Sequence, residues 1–562
     1  MPHPKPSSPV ASAVEAADNA AALRAHAVLV AQLCRPGACA DHPGPAALIE
    51  THLSSLLVAG DQVYKLKKPL RNGFVDFSTL AARRAAGEQE LRLNRRTAPR
   101  WYLGLAPVRQ TASGPRLSAA HDPAAAIGPV LDWAVQMRRF DDSQRADRLA
   151  TAGQLGAAQI DALAALVARF HAQLPPAPPG HGRADITRHW ARENLAELAT
   201  LLADPDWAAR CDAHWPAAVA ALQRWTEDHG AALAPLMDLR CLTGHVREVH
   251  GDLHLGNIVW ADGEPVLFDA LEFNELLRHI DTVGDLAFPF MDLLAHGQPR
   301  LAWRFISQVL DASGDHAALP LLAWWATYRA VVRAKVALLG ADAADEAARD
   351  AALAQARRYL GVALALAGLG PDGAPLPARR RQLVLTCGLS GSGKSVAAAL
   401  LAERLGAVRL RSDVERKRLF ALPPTARAAP GLYSADTTRR TYDRLQELAA
   451  EALDAGVSVV VDAASLRRAE RDAMRALASA RGAAFHLLRC SAPAAVLQAR
   501  VQARWAGGAD PSDATPAVLA EQQAWAEWPG DDEAGDTWAL DTDAPLSTVA
   551  ARIDRLPDTG PA

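Results

Sequence analysis

The chain has 562 residues, half of them hydrophobic and 22% charged, with a formal net charge of −3. At roughly 100–200 residues per domain, that length exceeds one core and calls for several compact units. The slight acidity excludes a whole-molecule field for nucleic acid, though not a local basic groove, and no uninterrupted apolar run is long enough to cross a membrane as a helix. Only seven of the 60 basic residues are lysines, among them Lys65, Lys67, Lys68 and Lys394, so a lysine carries more information here than an arginine. The six cysteines (Cys34, Cys39, Cys211, Cys241, Cys387 and Cys490) form no Cys-x-x-Cys pair and read as reduced thiols. The first twenty residues lack a continuous apolar segment of the signal-peptide kind, and a soluble cytoplasmic protein is expected.

In chain order, residues 1–24 read as a disordered tail. "THLSSLLVAGDQVYKLKK", 51–68, predicts strand, turn, strand. A helical pattern over 79–98 follows, with Thr79 or Ser78 as its N-cap. "YLGLAPVRQ" and "AIGPVLDWAVQMRRF" predict further strands, so a small β-rich lobe with one helix spans about 50–140. From about 141 to 366 the pattern is helical, interrupted by turn and strand signals at 249–273. Gly and Pro concentrate at 367–380, a linker. Residues 381–556 then alternate strand and helix, with strand candidates at 407–411, 457–462 and 484–489 beyond the first one. No internal repeat is visible.

Gly388-Leu-Ser-Gly-Ser-Gly-Lys-Ser395 matches G-x-x-x-x-G-K-[ST] in full, directly after the apolar "LVLTC" and before "VAAALLAERL". The backbone amides around Gly388, Ser390, Gly391, Ser392 and Gly393 suit a phosphate cradle at a helix N-terminus. Lys394 supplies a point charge to the phosphates, and Ser395 a ligand for Mg2+. Asp413 and Arg416, in "RSDVERKR", stand at D-x-x-R spacing beyond the second strand, an acid to accept a hydroxyl proton and a cation for an oxyanion. A helix-end charge pair is the bland alternative. Asp462 ends "VSVVVD" where a strand-end acid would hold the Mg2+ shell. Arg500 and Arg504, four apart on a helix, suit a lid over the nucleotide or a solvated face. This portion resembles the P-loop kinases that phosphorylate small hydroxyl substrates or polynucleotide 5′ ends. Relatives often carry Asn or Thr after the strand-end acid, where this chain has Ala463-Ala464.

In "HVREVHGDLHLGNIVW", Asp252 and Asn257 are five apart. That spacing suits an acid orienting an acceptor hydroxyl and an amide oxygen on Mg2+. "PVLFDALEFNE" then ends a strand in Asp269, a second metal ligand, with Glu272 in reach to assist. The stretch resembles the aminoglycoside phosphotransferase and choline-kinase-like fold. That resemblance implies an α+β protein-kinase-like bilobal domain over 25–366, joined to an α/β P-loop NTPase domain with a parallel sheet over 381–556. It also implies a phosphate-binding lysine on the second strand of the small lobe, Lys65 with Lys67 close behind, and a helix glutamate to pair with it, Glu88 ahead of Glu90. No G-x-G-x-x-G appears, leaving Ser54 and Ser55 to cover phosphates. Asp285 is expected to brace the loop, His250 to bond backbone and His254 to face solvent. Alternatives are a His250–Asp252–His254 metal cluster and a purely structural turn.

The resulting expectation is a bifunctional ATP-dependent phosphotransferase with ATP and Mg2+ as cofactors and small-molecule hydroxyl acceptors. The alternatives are one active P-loop kinase with a regulatory ATP-binding module, and a nucleic-acid 5′-hydroxyl kinase. Arg329 and Arg333, on one face of "YRAVVRAKV", suit an anionic acceptor better than a polycation, although a solvated surface helix has the same spacing.

Overall fold

The structure is a computed structural model that describes residues 13–39, 42–71, 75–118, 128–341, 345–424, 426, 431–507 and 511–557. The chain divides into two compact units. The first comprises Met1–Leu155, Gln173–Asp292 and Trp325–Ala374, and the second Gly156–Ala172, Leu293–Trp324 and Pro375–Ala562. No helix among the described residues is long and apolar enough to cross a membrane.

The first unit is built on six antiparallel strands: β1 (Ala47–Glu50), β2 (Ser54–Ala59), β3 (Gln62–Lys67), β4 (Tyr102–Thr111), β5 (Gly114–Leu117) and β6 (Val130–Arg138), in the order β1-β2-β3-β6-β4-β5. Side chains alternate between the faces of a strand. Leu57 and Ala59, Tyr64 and Leu66, Ala106 and Val108, and Ala134 cover one face and bury Val30 and Leu33 of the helix Ala13–Leu33. Lys65 and Lys67 therefore point to the other face, where the helix Leu80–Asn94 packs. Thr79 caps that helix by accepting the Ala82 N–H at 3.1 Å.

The helix Ala13–Leu33 occupies part of the segment expected to be a tail, and residues 1–12 of that call lie outside the described residues. Its sequence is dominated by Ala and Leu, the strongest helix formers, and docking on the sheet supplies what propensity alone does not.

Two short ribbons follow in the same unit. β7 (Val246–Glu248) pairs with the later strand His279–Asp281, and β8 (Ile258–Ala261) forms a hairpin with β9 (Glu264–Leu267). With His279–Asp281 as β10, these ribbons fix both ends of the segment 249–257.

The second unit holds a five-stranded sheet that is parallel throughout. Its strands are β11 (Gln382–Cys387), β12 (Ala407–Arg411), β13 (Ser458–Asp462), β14 (Ala484–Ser491) and β15 (Thr537–Asp541), in the order β12-β13-β11-β14-β15. β11 and β13 are buried along nearly their whole length, as parallel strands covered on both faces must be. Val384, Ala397, Ala398, Leu401, Val460, Leu488 and Leu540 form one cluster that seats the helix Lys394–Leu405 against the sheet.

Candidate functional site

In the first unit, charge is buried between β3 and the helix Leu80–Asn94. Lys65 Nζ donates to Glu90 Oε1 at 2.9 Å and to Asp269 Oδ1, and Lys67 Nζ lies 2.6 Å from Glu90 Oε2 and also pairs with Glu272. Glu90 is fully buried and both lysines are nearly so. Two cations face three carboxylates, and opposite charges at contact distance are what make burial of each tolerable. Burial opposes the charged form of Lys65, but Asp269 and Glu90 outweigh it and hold its pKa well above the usual lysine range. Burial pushes Asp269 up, Lys65 and Lys67 push it down, and the net is below the usual carboxylate range. Glu272, more deeply enclosed, is pushed up by burial.

The partner of the lysines is Glu90, not Glu88. Glu88 is exposed and pairs with Arg84 at 2.9 Å. Two residues are roughly 200° of helix turn, and Ala86, Gly87, Glu90, Leu91 and Asn94 define the face that meets the sheet. Glu90→Gln is expected to cost about 3 kcal/mol, the low end for breaking a buried pair, because each lysine keeps one other carboxylate. Glu88→Gln should stay within about 0.5 kcal/mol. Chemical denaturation followed at the first unit's transition separates the two, and equal costs would refute the assignment.

The segment 249–257 is held from several sides. Asp285 accepts the His250 and Gly251 amides at 3.3 and 2.9 Å, Asp292 accepts that of Leu255 at 2.8 Å, and His250 Nε2 lies 2.9 Å from the Phe268 carbonyl. Gly251 has φ +83°, and a Cβ there would meet Arg278 and Leu271 at 3.1–3.2 Å. Asn257 Nδ2 donates to the Asp252 carbonyl at 2.9 Å and to Asp252 Oδ2 at 3.2 Å. Those contacts turn the amide nitrogen inward and leave Oδ1 as the acceptor end of Asn257. Asp269 sits at φ +62°, a left-handed conformation that Asp tolerates better than most residues. Tyr102 Oη accepts the Asp269 amide at 3.0 Å, and Asn94 Oδ1 that of Ala270 at 2.9 Å.

Two expectations change here. His254 does not face solvent: its side chain is 12% exposed, Nδ1 accepts the Gly256 amide at 3.0 Å, and Nε2 stands 3.6 Å from Asp252 Oδ2. Burial, with the Arg333 charge, pulls its pKa down to about 4. Ser55 does not reach toward phosphates. It lies on the face of Leu57, where it meets His26 Nε2 at 2.9 Å and Glu50 at 3.1 and 3.2 Å. Ser54, opposite Lys67 in register, is buried as well.

In the second unit the turn after β11 takes the shape its glycines allow. Gly388, Gly391 and Gly393 have φ of +152°, +83° and +76°, and a Cβ would meet Cys490 O at 2.5 Å, Leu497 O at 2.7 Å and Thr542 at 3.0 Å. Gly391→Ala is accordingly expected to cost about 1–3 kcal/mol, read as a lower midpoint for the second unit's unfolding. Tolerance within 0.5 kcal/mol, roughly surface-like, would contradict this packing.

Ser395 Oγ donates to Asp462 Oδ1 at 3.2 Å, joining the start of the helix Lys394–Leu405 to the end of β13. Lys394 Nζ rests on the Leu389 carbonyl at 2.8 Å, and burial pushes its pKa down against the pull of Asp462 and Asp413. Burial pushes Asp413 up, with Asp462 adding to it and Arg416 opposing. Arg416 donates to Leu432 O and Thr438 Oγ1 at 3.3 and 3.2 Å and stacks 4.8 Å from the Tyr433 ring. The Ser390 amide is held by Gln522 at 2.9 Å, while Ser392 Oγ is buried with no partner.

Arg500 and Arg504 part company. Arg500 bonds Thr542 Oγ1 at 3.1 Å, Thr542 O at 2.8 Å and Gly391 O at 3.4 Å, so it braces the turn from behind instead of closing over it. Arg504 has Nε and Nη2 buried without hydrogen-bond partners, and its charge is felt by Lys394. Ala463 and Ala464 serve the turn through their backbones: Ala464 O accepts the Gly388 amide at 3.0 Å and Ala463 O the Thr386 hydroxyl at 2.7 Å. Tyr102, Asn94, Gln522 and Thr542 belong to no motif in the sequence. Only packing brings them to the two sites: Tyr102 opens β4, Asn94 ends its helix, and Gln522 and Thr542 lie more than a hundred residues beyond the turn they hold.

Two family models match the chain, one described as a phosphotransferase enzyme family over residues 109–270 and one described as an AAA domain over residues 383–529. The protein Rv2004c of Mycobacterium tuberculosis (strain ATCC 25618 / H37Rv) is 32% identical over 508 residues, covering 87% of this chain and 93% of its own. Mb2027c of Mycobacterium bovis gives the same figures. Among solved structures, a gluconokinase from Sinorhizobium meliloti 1021 is 21% identical, covers 31% of this chain and 90% of its own, and superposes with a TM-score of 0.24. With a phosphotransferase domain followed by a P-loop kinase-like domain, and with that identity along most of its length, the chain belongs to the family of these mycobacterial proteins.

Proposed function

We propose that the chain is a bifunctional ATP-dependent phosphotransferase, each unit moving the γ-phosphoryl of ATP to a hydroxyl of a small molecule. The observation that carries this is the pairing of two separate sets of groups, Lys65–Glu90 with Asp269 in the first unit and Ser395–Asp462 beside Lys394 in the second. The sheet with its helix and the helices that follow would form the two lobes of a kinase-like domain.

In the first unit, Lys65 steers phosphate oxygens and Glu90 holds the lysine in place. The five charges of that cluster carry one net negative charge, and Asn257 Oδ1 and Asp269 fit a divalent cation, so the donor set suits Mg2+. When bound, Mg2+ neutralises charge that builds on the leaving phosphates. Asp252 takes the proton of the acceptor hydroxyl as its oxygen bonds to phosphorus and ADP departs with the bridging oxygen. In the second unit the amides of 388–393 cradle phosphates, Lys394 and Arg504 offset their charge, Ser395 and Asp462 suit the same cation, and Asp413 accepts the proton.

A second reading is favoured by the inward turn of Ser55 and the missing glycine loop over β2–β3: the first unit binds ATP and regulates the second. A mass-spectrometric screen for gain of one phosphoryl group, run with the full chain, Asp252→Ala and Lys394→Ala, tests both. Products lost separately in each variant support two transferases. Products that depend on Lys394 alone favour the regulatory reading.

A further inference from the structure

The helix Leu319–Leu339 carries two arginines, Arg329 and Arg333, four residues apart, and packing links each of them to the segment 249–257. Arg329 is 4% exposed. Its Nε donates to Gly284 O at 3.1 Å and its guanidinium faces the rings of Phe288, Trp325 and Tyr328 at 4.3, 5.3 and 5.4 Å, which offsets part of its charge, but Nη2 is buried with no hydrogen-bond partner. Phe288 in turn meets the His254 ring edge-on at 6.2 Å, and His254 adjoins Asp252. Arg333 lies 5.5 Å from the Tyr359 ring and also keeps a buried Nε without a partner. Tyr359 donates to Asp292 at 2.7 Å, the residue that holds the Leu255 amide. The charge of Asp252 acts on both arginines.

An unpaired guanidinium nitrogen in a protein interior is costly, and guanidinium cannot shed its charge to escape that cost. A solvated surface helix, the bland reading of this spacing, is incompatible with a side chain as buried as Arg329. The acids nearby already serve the backbone: Asp285 takes the His250 and Gly251 amides, Asp292 that of Leu255. A cationic acceptor at Asp252 would meet the charge of two arginines that Asp252 itself feels.

We infer that the acceptor of the first unit is an anion, a molecule with a carboxylate or phosphate besides its reacting hydroxyl, held by Arg329 and Arg333. This rests on Asp252 as the proton acceptor of a phosphotransferase. The hydroxyl proton passes to Asp252, the acceptor oxygen bonds to the γ-phosphorus, and the bond from that phosphorus to the β–γ bridging oxygen breaks, its electron pair leaving with ADP.

The test uses the full chain carrying Lys394→Ala and probes on one three-carbon skeleton: glycerol, glycerate, glycerol 3-phosphate and 3-amino-1,2-propanediol. Asp252-dependent ATP turnover is measured alone and then with each probe, which either accepts the phosphoryl group or displaces water. Glycerate or glycerol 3-phosphate should act at a concentration at least tenfold lower than the neutral and ammonium probes, and which of the two does so distinguishes carboxylate from phosphate. Arg329→Gln or the less buried Arg333→Gln should remove that preference with KM for ATP unchanged, and Arg329→Lys should restore part of it. Equal or better action by glycerol or the ammonium probe, indifference to all four, or a preference untouched by the substitutions overturns the inference. Absence of any Asp252-dependent turnover overturns the phosphotransferase reading beneath it.

Discussion

Asp252→Asn, made in the Lys394→Ala background, is expected to lower acceptor phosphorylation by about 10²–10⁴-fold, the range for losing a general base. The substitution is chosen because its oxygen can still accept from Asn257 Nδ2, which now lies 3.2 Å from Asp252 Oδ2 and 2.9 Å from the Asp252 carbonyl. Geometry is kept and basicity is lost. His254, 3.6 Å away, cannot take over. Its Nδ1 accepts the Gly256 amide at 3.0 Å, so the neutral ring carries its proton on Nε2, the nitrogen that faces residue 252, and has no lone pair there for a hydroxyl proton. The loss should fall on kcat, because Lys65 pairs with Glu90 and Asp269 and not with Asp252, and Asn257, which does contact Asp252, keeps an acceptor there. KM for ATP should therefore change little, and steady-state kinetics at varied ATP measures both. Retention of phosphorylation within threefold of the parent, or a loss confined to KM for ATP, would remove Asp252 from the chemistry.

The parts of this molecule that were readable in sequence are those whose signal is local. The hairpin β2–β3 shows a period of two around a turn, and the turn after β11 shows glycines where the backbone takes positive φ. β12, β13 and β14 stand out as short apolar runs between helices. The rest depends on what packs against what. β1 is exposed at every position, so its strand character comes from pairing with β2 and leaves no hydrophobic pattern. β15 is five residues with one buried. Sequence puts Glu88 ahead of Glu90, and only the face on which Leu80–Asn94 docks selects Glu90. Sequence carries no signal that His254 is buried. Its burial follows from Phe288 and Arg333, which lie in helices far along the chain. Arg500 and Arg504 share a helix face, but Thr542, 42 residues on, claims the first and not the second.

Lys394→Ala is expected to lower the second unit's phosphoryl transfer by about 10²–10³-fold, the cost of removing one preorganised group that stabilises developing charge. No other lysine is available at this turn, since the chain has only seven, and Lys394 alone follows the glycines. Stability should move differently from activity. Burial pushes the Lys394 pKa below the usual lysine range even with Asp462 and Asp413 opposing, so the fold disfavours the charged amine relative to the unfolded chain. A base whose pKa falls on folding destabilises the fold wherever it is charged in the unfolded state, which covers all pH below the unfolded value. Removing it should leave the second unit's stability within about 1 kcal/mol of the parent or raise it, as at sites kept for function. Asp462 retains Ser395 Oγ at 3.2 Å and Arg411 at 3.7 Å, so the acid is not stranded. Thermal unfolding and acceptor phosphorylation measured on the same preparation decide the matter. A preserved Tm with lost transfer places Lys394 in the chemistry, whereas a Tm that collapses with the activity would make it a structural residue, and full activity would leave the glycine turn without a phosphate-handling role.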